Sequence, residues 1–114
     1  MRHPPASTTA YCAAIEARDP AAVAEACTPD VVFNSPISSS VRFEGREDLA
    51  ELFRSALEVY DELRCVEEFG SGDRRLLYLR SRIGDQELEE VQVLRLDGWD
   101  QVREIIMFAR PLPA

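Results

Sequence analysis

The middle of the chain carries hydrophobic residues at the period of an α-helix. The stripe predicts a helix from about residue 49 and consists of Leu49, Leu52, Phe53, Ala56, Leu57 and Tyr60. An earlier segment has the same spacing at Tyr11, Ala14, Ile15 and Arg18. The first predicted helix begins at Ser7 or Thr8, either of which can cap it, and ends near residue 18. Asp19-Pro20 then predicts a short second helix over 20–27.

The second half of the chain has the pattern of β-strands joined by tight turns. Four runs are predicted as strands, over 62–69, 75–83, 87–96 and 101–109. Glycine-containing segments between them have hairpin chemistry, which favours an antiparallel meander. Two shorter strands are predicted over 31–35 and 41–43. Helices first and strands later indicate an α+β fold, in which helices pack on one face of the sheet.

The chain is small and acidic. Its 114 residues suit one domain, predicted over 7–112, with residues 1–6 as a disordered arm. The formal net charge is −8, and the 13 basic residues, all Arg, are scattered among Asp and Glu. This balance argues against a nucleic-acid partner and against an anionic membrane surface. No apolar run approaches the roughly 18 residues that a membrane span needs.

The cysteines do not suggest a metal site. Cys12, Cys27 and Cys65 have no metal-ligand spacing, and the only histidine is His3. Reduced thiols used as small core residues are typical of a cytoplasmic protein, which is the location we predict. No metal is expected.

Alternation along the last two strands separates the two faces of the sheet. One face carries Leu88, Glu90, Gln92, Leu94, Ile105 and Met107. The opposite face carries Val91, Val93, Ile106 and Phe108. Because helices cover only one face, apolar residues on the other predict a second buried surface, most simply a homodimer interface.

Several short motifs follow one another in a characteristic order. They are Tyr11, Asp19-Pro20, residues 29–33, Ser35-Pro36, residues 43–46, the helix from Leu49, and residues 91–98 and 102–105. In this order they resemble the nuclear-transport-factor-2-like or SnoaL-like superfamily, over about residues 8–112. The resemblance implies a cystatin-like cone, a curved antiparallel sheet wrapped around the N-terminal helices and enclosing an apolar pocket. It also implies a small apolar, polyketide-like or steroid-like ligand and no metal or organic cofactor.

The resemblance can be followed into the ketosteroid isomerases of this superfamily. Those enzymes use a Tyr on the first helix, a general-base Asp before a Pro at the end of the first strand, and a second Asp before the last hairpin. Tyr11 matches the first position. Ser35 stands at the second, before Pro36, and Gln92 stands at the third. A serine cannot replace a carboxylate base, so steroid isomerisation by that mechanism is not expected.

If Gln92 points into the pocket, as the resemblance implies, alternation puts Glu90 there too, and Glu90 is the remaining candidate acid or base. A carboxyl group in a dry cavity has its pKa raised toward neutrality, while Tyr11 and Gln92 would hydrogen-bond the substrate. Two other interpretations stay open for Glu90: a solvated acidic face shared with Glu87 and Glu89, or a structural partner for an arginine. Tyr11 can also be a core aromatic whose hydroxyl finds a backbone partner.

Two functions follow from these observations. The leading hypothesis is a cofactor-free isomerase, cyclase or dehydratase that transfers a proton on a small apolar molecule. The alternative is a non-catalytic ligand-binding or protein-interaction module. The residues expected to line the pocket are Phe33, Ser35, Phe53, Leu88, Leu94, Ile105 and Met107.

Overall fold

The computed structural model describes residues 6–34 and 42–113. In chain order the elements are α1 (Ala6–Ala17), α2 (Pro20–Glu25), β1 (Cys27–Asn34), β2 (Arg42–Glu44), α3 (Arg46–Val59), β3 (Glu62–Ser71), β4 (Arg74–Ile83), β5 (Gln86–Leu96) and β6 (Val102–Pro111). The α+β fold predicted from the sequence is confirmed. Ala6 already belongs to α1, and residues 1–5 of the predicted arm lie outside the described ranges. Among the described residues, no helix combines the length and the apolar character needed to cross a membrane.

The second helix begins where the sequence signals it, whereas α1 begins at Ala6, before the predicted caps Ser7 and Thr8. The Asp19 side chain accepts a hydrogen bond from the Ala22 N–H at 3.1 Å, with Pro20 in the first turn of α2. At the start of α3, the Arg46 guanidinium donates two hydrogen bonds, of 2.9 and 2.7 Å, to the carbonyl oxygen of Cys27. This clamp holds α3 against the beginning of β1.

The described strands form a curved six-stranded sheet in the order β2-β1-β6-β5-β4-β3. The meander from β3 to β6 is antiparallel, as predicted. One pairing departs from the antiparallel expectation, because β1 lies parallel to β6. Parallel neighbours need a long connection, and here α3 and four strands, β2 to β5, separate the two.

The first strand also begins earlier than the hydrophobic pattern predicts. β1 starts at Cys27, which pairs with Val102, so α2 ends at Glu25 instead of reaching residue 27. The register shifts between Cys27 and Val32. Pro29 lies within that shift, where its missing N–H does not interrupt a regular ladder.

The core lies between the helices and the inner face of the sheet. Burial alternates along β5, with Glu90, Gln92, Leu94 and Leu96 buried and the residues between them half-buried. On the outer face, Arg80 pairs at 3.4 Å with Glu87, which lies diagonal to its register partner Glu89. The alternation that orients β5 therefore sends two polar side chains into the interior.

Candidate active site

A cavity of about 360 Å³ lies between α3 and the inner face of the sheet. Its lining consists of Ile15, Phe33, Phe43, Leu52, Phe53, Ala56, Leu57, Tyr60, Leu63, Leu79, Glu90, Gln92 and Met107. Ligand sites of this kind are concave and mostly apolar, with a few polar groups that orient the ligand. Three of these residues, Tyr60, Glu90 and Gln92, supply the polar groups here.

Aromatic rings form one side of the cavity. Phe33 of β1 meets Phe53 of α3 edge-on, with ring centroids 5.8 Å apart, and Phe43 of β2 lies 6.2 Å from Phe33. The helical stripe of α3 and the inner face of the first two strands thus converge on one apolar wall. Such a wall accepts an apolar ligand and excludes water from the polar groups facing it.

Glu90 is the charged residue of the cavity. Only 3% of its surface is exposed, and it takes part in no salt bridge within the described part of the chain. Its carboxylate oxygen Oε1 accepts a hydrogen bond from the Tyr60 hydroxyl at 2.6 Å. The solvated acidic face and the arginine partner considered from the sequence are both wrong, since Glu90 is buried and its partner is a tyrosine.

The environment of Glu90 moves its pKa in two directions. Burial in the cavity wall raises the pKa of Glu90, and hydrogen bonds from Tyr60 and Gln92 oppose part of that rise. The pKa of Tyr60 is raised, first by burial and then by the Glu90 carboxylate. Tyr60 therefore remains a protonated donor while Glu90 titrates closer to neutrality than an exposed glutamate.

Tyr11 reaches this site through Gln92. The Tyr11 hydroxyl donates a 2.6 Å hydrogen bond to Gln92 Oε1, and both side chains are buried. The bond occupies the carbonyl end of the Gln92 amide, which leaves its NH₂ group for Glu90 and for a ligand. The partner of Tyr11 is thus a side chain and not the backbone group considered from the sequence. Burial raises the pKa of the Tyr11 hydroxyl well above its usual value.

The backbone at Tyr60 is hydrogen-bonded by Arg18, the residue that follows α1. The Arg18 guanidinium donates hydrogen bonds to the carbonyl oxygens of Tyr60, at 2.6 Å, and Asp61, at 2.8 Å. These carbonyls lie just beyond the C-terminus of α3, where no helical N–H follows to bond them. Arg18 thereby fixes the backbone from which the Tyr60 ring enters the cavity.

The structure brings Tyr11, Glu90 and Gln92 together, and Glu90 and Gln92 line the cavity. The predicted contact of Tyr11 with the substrate is wrong, because Tyr11 lies outside the cavity lining and its hydroxyl bonds Gln92. Phe33, Phe53 and Met107 also line the cavity as expected. Three predicted pocket residues lie elsewhere: Leu94 and Ile105 are fully buried in the core, and Leu88 is half-buried near the start of β5. The Gln92↔Met107 and Leu94↔Ile105 pairs share one face, but the cavity ends at the first pair.

Two further sets of predicted residues remain untested as functional groups. Ser35 lies outside the described residues. On the outer face of the sheet, Val91, Val93 and Ile106 are half-buried, while Phe108 is 59% exposed. The homodimer interface through these four residues stays a prediction.

Tyr60 is the polar residue that the sequence interpretation missed. Its position at the end of the helical stripe assigned it to the apolar face, and that face does point into the cavity. A tyrosine at such a position carries a hydroxyl that needs a partner once buried. The predicted inward position of Glu90 was the sequence feature that could have identified it as the partner of the Tyr60 hydroxyl.

The assembled groups can carry out acid–base chemistry. A buried carboxyl group with a raised pKa can take up and return a proton near neutral pH, and neutral N–H and O–H donors beside it can stabilise developing negative charge. The residues that fix these groups, Tyr11 and Arg18, lie outside the cavity lining. The reactive carboxyl group, the hydrogen-bond donors beside it and the residues that hold them thus come from several helices and strands of one small fold.

Solved structures share this fold at low sequence identity. A protein with a cystatin-like fold from Silicibacter pomeroyi DSS-3 superposes with a TM-score of 0.87 and 18% identity, covering 94% of this chain and 75% of that one. A steroid delta-isomerase from Pseudomonas aeruginosa gives 0.82 and 22%, with coverage of 94% and 79%. A protein with a ketosteroid isomerase-like fold from Catenulispora acidiphila DSM 44928, in complex with trimethylamine, gives 0.74 and 16%, with coverage of 93% and 86%.

Sequence comparison identifies the family. No curated protein sequence matches the chain. The family model described as the SnoaL-like domain matches residues 8–103, which is most of the chain and includes every polar group of the cavity. The order of motifs, the sheet topology and this match agree, and the chain belongs to the SnoaL-like domain family.

Proposed function

We propose that the protein binds a small, mainly apolar molecule in the cavity and transfers a proton on it with Glu90. The observation that carries the proposal is a buried carboxyl group in an apolar cavity, bonded by neutral donors. Burial without a cationic partner disfavours the charged form. That arrangement is unfavourable for folding and useful for proton transfer, which is a common signature of a catalytic carboxyl group.

In the proposed reaction, Glu90 acts first as a general base. Its carboxylate removes a proton from a carbon or oxygen atom of the substrate, and the protonated carboxyl group later returns a proton to another atom. Isomerisation, dehydration and cyclisation all require this sequence of steps. A carboxylate offers about four lone-pair sites, so the bonds from Tyr60 and Gln92 leave capacity for the incoming proton.

The neighbouring donors have a matching role. Removal of a proton beside a carbonyl group leaves negative charge on the carbonyl oxygen, and a fixed donor lowers the energy of that state. The Gln92 NH₂ group is the candidate donor, because Tyr11 holds the other end of the amide. Tyr60 supports the carboxylate form of Glu90 through its hydrogen bond.

The size of the cavity restricts the ligand. About 360 Å³ is near the lower limit for small-molecule sites, which span roughly 300–1,000 Å³. The apolar walls favour a hydrocarbon body with one or two polar atoms. Membership in the SnoaL-like family supports small-molecule binding, and two structural neighbours, a steroid delta-isomerase and a complex with trimethylamine, are consistent with it.

The test uses two model compounds that share this chemistry. 2-Naphthol reports binding through its fluorescence, and 2-tetralone reports proton removal through loss of its α-proton NMR signals in D₂O. We expect both to bind and exchange of 2-tetralone to exceed the buffer rate. Glu90→Gln keeps the size of the side chain and removes the base, so exchange should fall by about 100-fold or more while 2-naphthol still binds.

The matched control is Glu89→Gln, one residue away on the outer face, where Glu89 bonds to Tyr78 and Arg110. This variant should exchange 2-tetralone at the wild-type rate. If 2-tetralone binds and its exchange is not accelerated, or if Glu90→Gln retains the wild-type rate, the catalytic role of Glu90 is wrong. The protein is then a ligand-binding module. Failure of both compounds to bind would contradict the assignment of the cavity as an apolar ligand site.

A further inference from the structure

A second cleft, also of about 360 Å³, lies between α1 and β3, away from the apolar cavity. Its lining consists of Cys12, Ala13, Glu16, Cys65, Val66, Glu67 and Glu68. Both cysteines are free thiols and both are partly accessible. The proposed function uses neither of them.

Strand register and helix geometry bring the two cysteines together. Cys65 pairs with the buried Leu79, so its side chain lies on the inner face of the sheet, which α1 covers. Because β3 is the edge strand, the Cys65 N–H is free to donate to a side chain, and it bonds Glu16 Oε2 at 2.9 Å. Glu16 follows Cys12 by one helical turn on the same face of α1. Both thiols therefore line the same cleft between α1 and β3.

The interaction between the two thiols shifts their pKa values in opposite directions. The interaction with Cys65 lowers the pKa of Cys12, although burial and the carboxylates of Glu68 and Glu16 act against it. The same interaction and burial raise the pKa of Cys65. Cys12 is therefore the thiol that more readily becomes a thiolate, which is the nucleophilic form.

Cys27 provides an internal contrast. It is fully buried, its thiol donates to the Val23 carbonyl oxygen at 3.3 Å, and burial raises its pKa to about 12. Such a thiol is inert toward solvent reagents. The chain thus carries a pair of accessible thiols and one protected thiol.

We propose that Cys12 and Cys65 form an oxidisable dithiol, which a small neutral peroxide converts into a disulfide between α1 and β3. The Cys12 thiolate attacks one peroxide oxygen, the O–O bond breaks, and Cys12 becomes a sulfenic acid while hydroxide leaves. The Cys65 sulfur then attacks the Cys12 sulfur, and the sulfenic oxygen leaves as water. In total, two thiols and one hydrogen peroxide give one disulfide and two water molecules.

The negative charges around the cleft determine which oxidants can approach the two thiols. Glu16, Glu67 and Glu68 line it, and Glu68 alone of these is seen to pair with a cation, Arg75 at 3.4 Å, within the described residues. A negatively charged disulfide such as oxidised glutathione is repelled by these carboxylates. Hydrogen peroxide is neutral and small, so its approach is not opposed.

The experiment uses the distribution of arginines, because trypsin places each cysteine in a separate peptide: Cys12 in 3–18, Cys27 in 19–42 and Cys65 in 65–74. Reduced protein is treated with hydrogen peroxide, its remaining thiols are alkylated under denaturing conditions, and the peptides are mapped without reductant. We expect peptide 3–18 joined to peptide 65–74 with the loss of two hydrogen atoms, and Cys27 alkylated. Oxidised glutathione at the same concentration should give a much slower reaction.

Single variants separate the two roles. In Cys65→Ser, a sulfenic acid should accumulate on Cys12 and be trapped by dimedone, whereas Cys12→Ser should show little trapping at Cys65. Cys27→Ala is the matched control and should cross-link as the wild type does. Cross-links that involve Cys27 or join two chains, or over-oxidation of Cys12 without a cross-link, would overturn the proposal. None of these readouts depends on ligand binding or on Glu90.

Discussion

Replacement of Tyr11 by Phe removes one hydroxyl group from the deepest part of the site and tests the polar chain directly. The hydroxyl is fully buried and donates to Gln92 Oε1, which is itself only 2% exposed. The ring remains, so the packing of α1 against the core is preserved. What changes is one hydrogen bond and the solvation of the acceptor left behind.

The magnitude follows from burial at both ends of the bond. A typical hydrogen bond contributes about 1 kcal/mol, and an acceptor left unsatisfied in the interior costs about 1–3 kcal/mol. We expect Tyr11→Phe to lower the free energy of unfolding by about 1–3 kcal/mol, the cost of the unsatisfied acceptor. For a domain of this size that corresponds to a decrease in Tm of roughly 4–12 °C.

The assay is urea unfolding followed by far-UV circular dichroism, because Trp99 is 87% exposed and its fluorescence reports little of the core. Tyr78→Phe is the matched control: its hydroxyl donates to Glu89 on the outer face, and its removal should have a much smaller effect. Gln92→Leu combined with Tyr11→Phe should be less destabilising than the sum of the single changes, by about 1–2 kcal/mol. Strict additivity, or a Tyr11→Phe variant as stable as the wild type, would refute the buried bond.

Further predictions concern titration, packing and assembly. Because burial raises the pKa of Glu90, the native state holds this proton longer than the unfolded state does. The free energy of unfolding should therefore fall as pH rises from the ordinary glutamate pKa to the raised one, and Glu90→Gln should flatten that interval in urea titrations. Tyr60→Phe removes a bond that lowers the pKa of Glu90, so the pH profile of 2-tetralone exchange should move to higher pH. Leu77→Ala should lower the free energy of unfolding by about 2–5 kcal/mol in the same urea assay. Phe108→Glu should convert a dimer to a monomer in sedimentation velocity; a wild type that sediments as a monomer contradicts the dimer prediction.

Periodicity predicted the parts of the fold that depend on local patterns. The stripe from Leu49 identifies α3, and the alternation in β5 places Glu90 and Gln92 on the inward face, where the structure has them. A strand with one buried face has a strongly specified register. Spacing therefore placed Glu90 on the same face as Gln92, and the family resemblance, which puts Gln92 in the pocket, identified that face as the inward one.

Features that depend on contacts between distant segments could not be predicted from local sequence patterns. The parallel pairing of β1 with β6, and the early start of β1 at Cys27, arise from contact with Val102 and are not visible in either segment alone. The bond between Tyr60 and Glu90 joins the end of a helix to a strand three elements later. Hydrophobic periodicity assigns a face to each side chain, but it does not specify which side chains meet across the cavity.

The pairing of β1 with β6 also has a consequence for synthesis on the ribosome. Asn34 and Glu104 are in contact and are separated by 70 residues. β1, with its apolar inner face, therefore has β2 as a neighbour but lacks β6 while β3, β4 and β5 are made. Contacts between distant segments form late and slow the folding of a chain. We expect nascent chains that end before Val102 to expose the apolar wall that contains Phe33 and to bind chaperones. Chains that include β6 should become resistant to proteases.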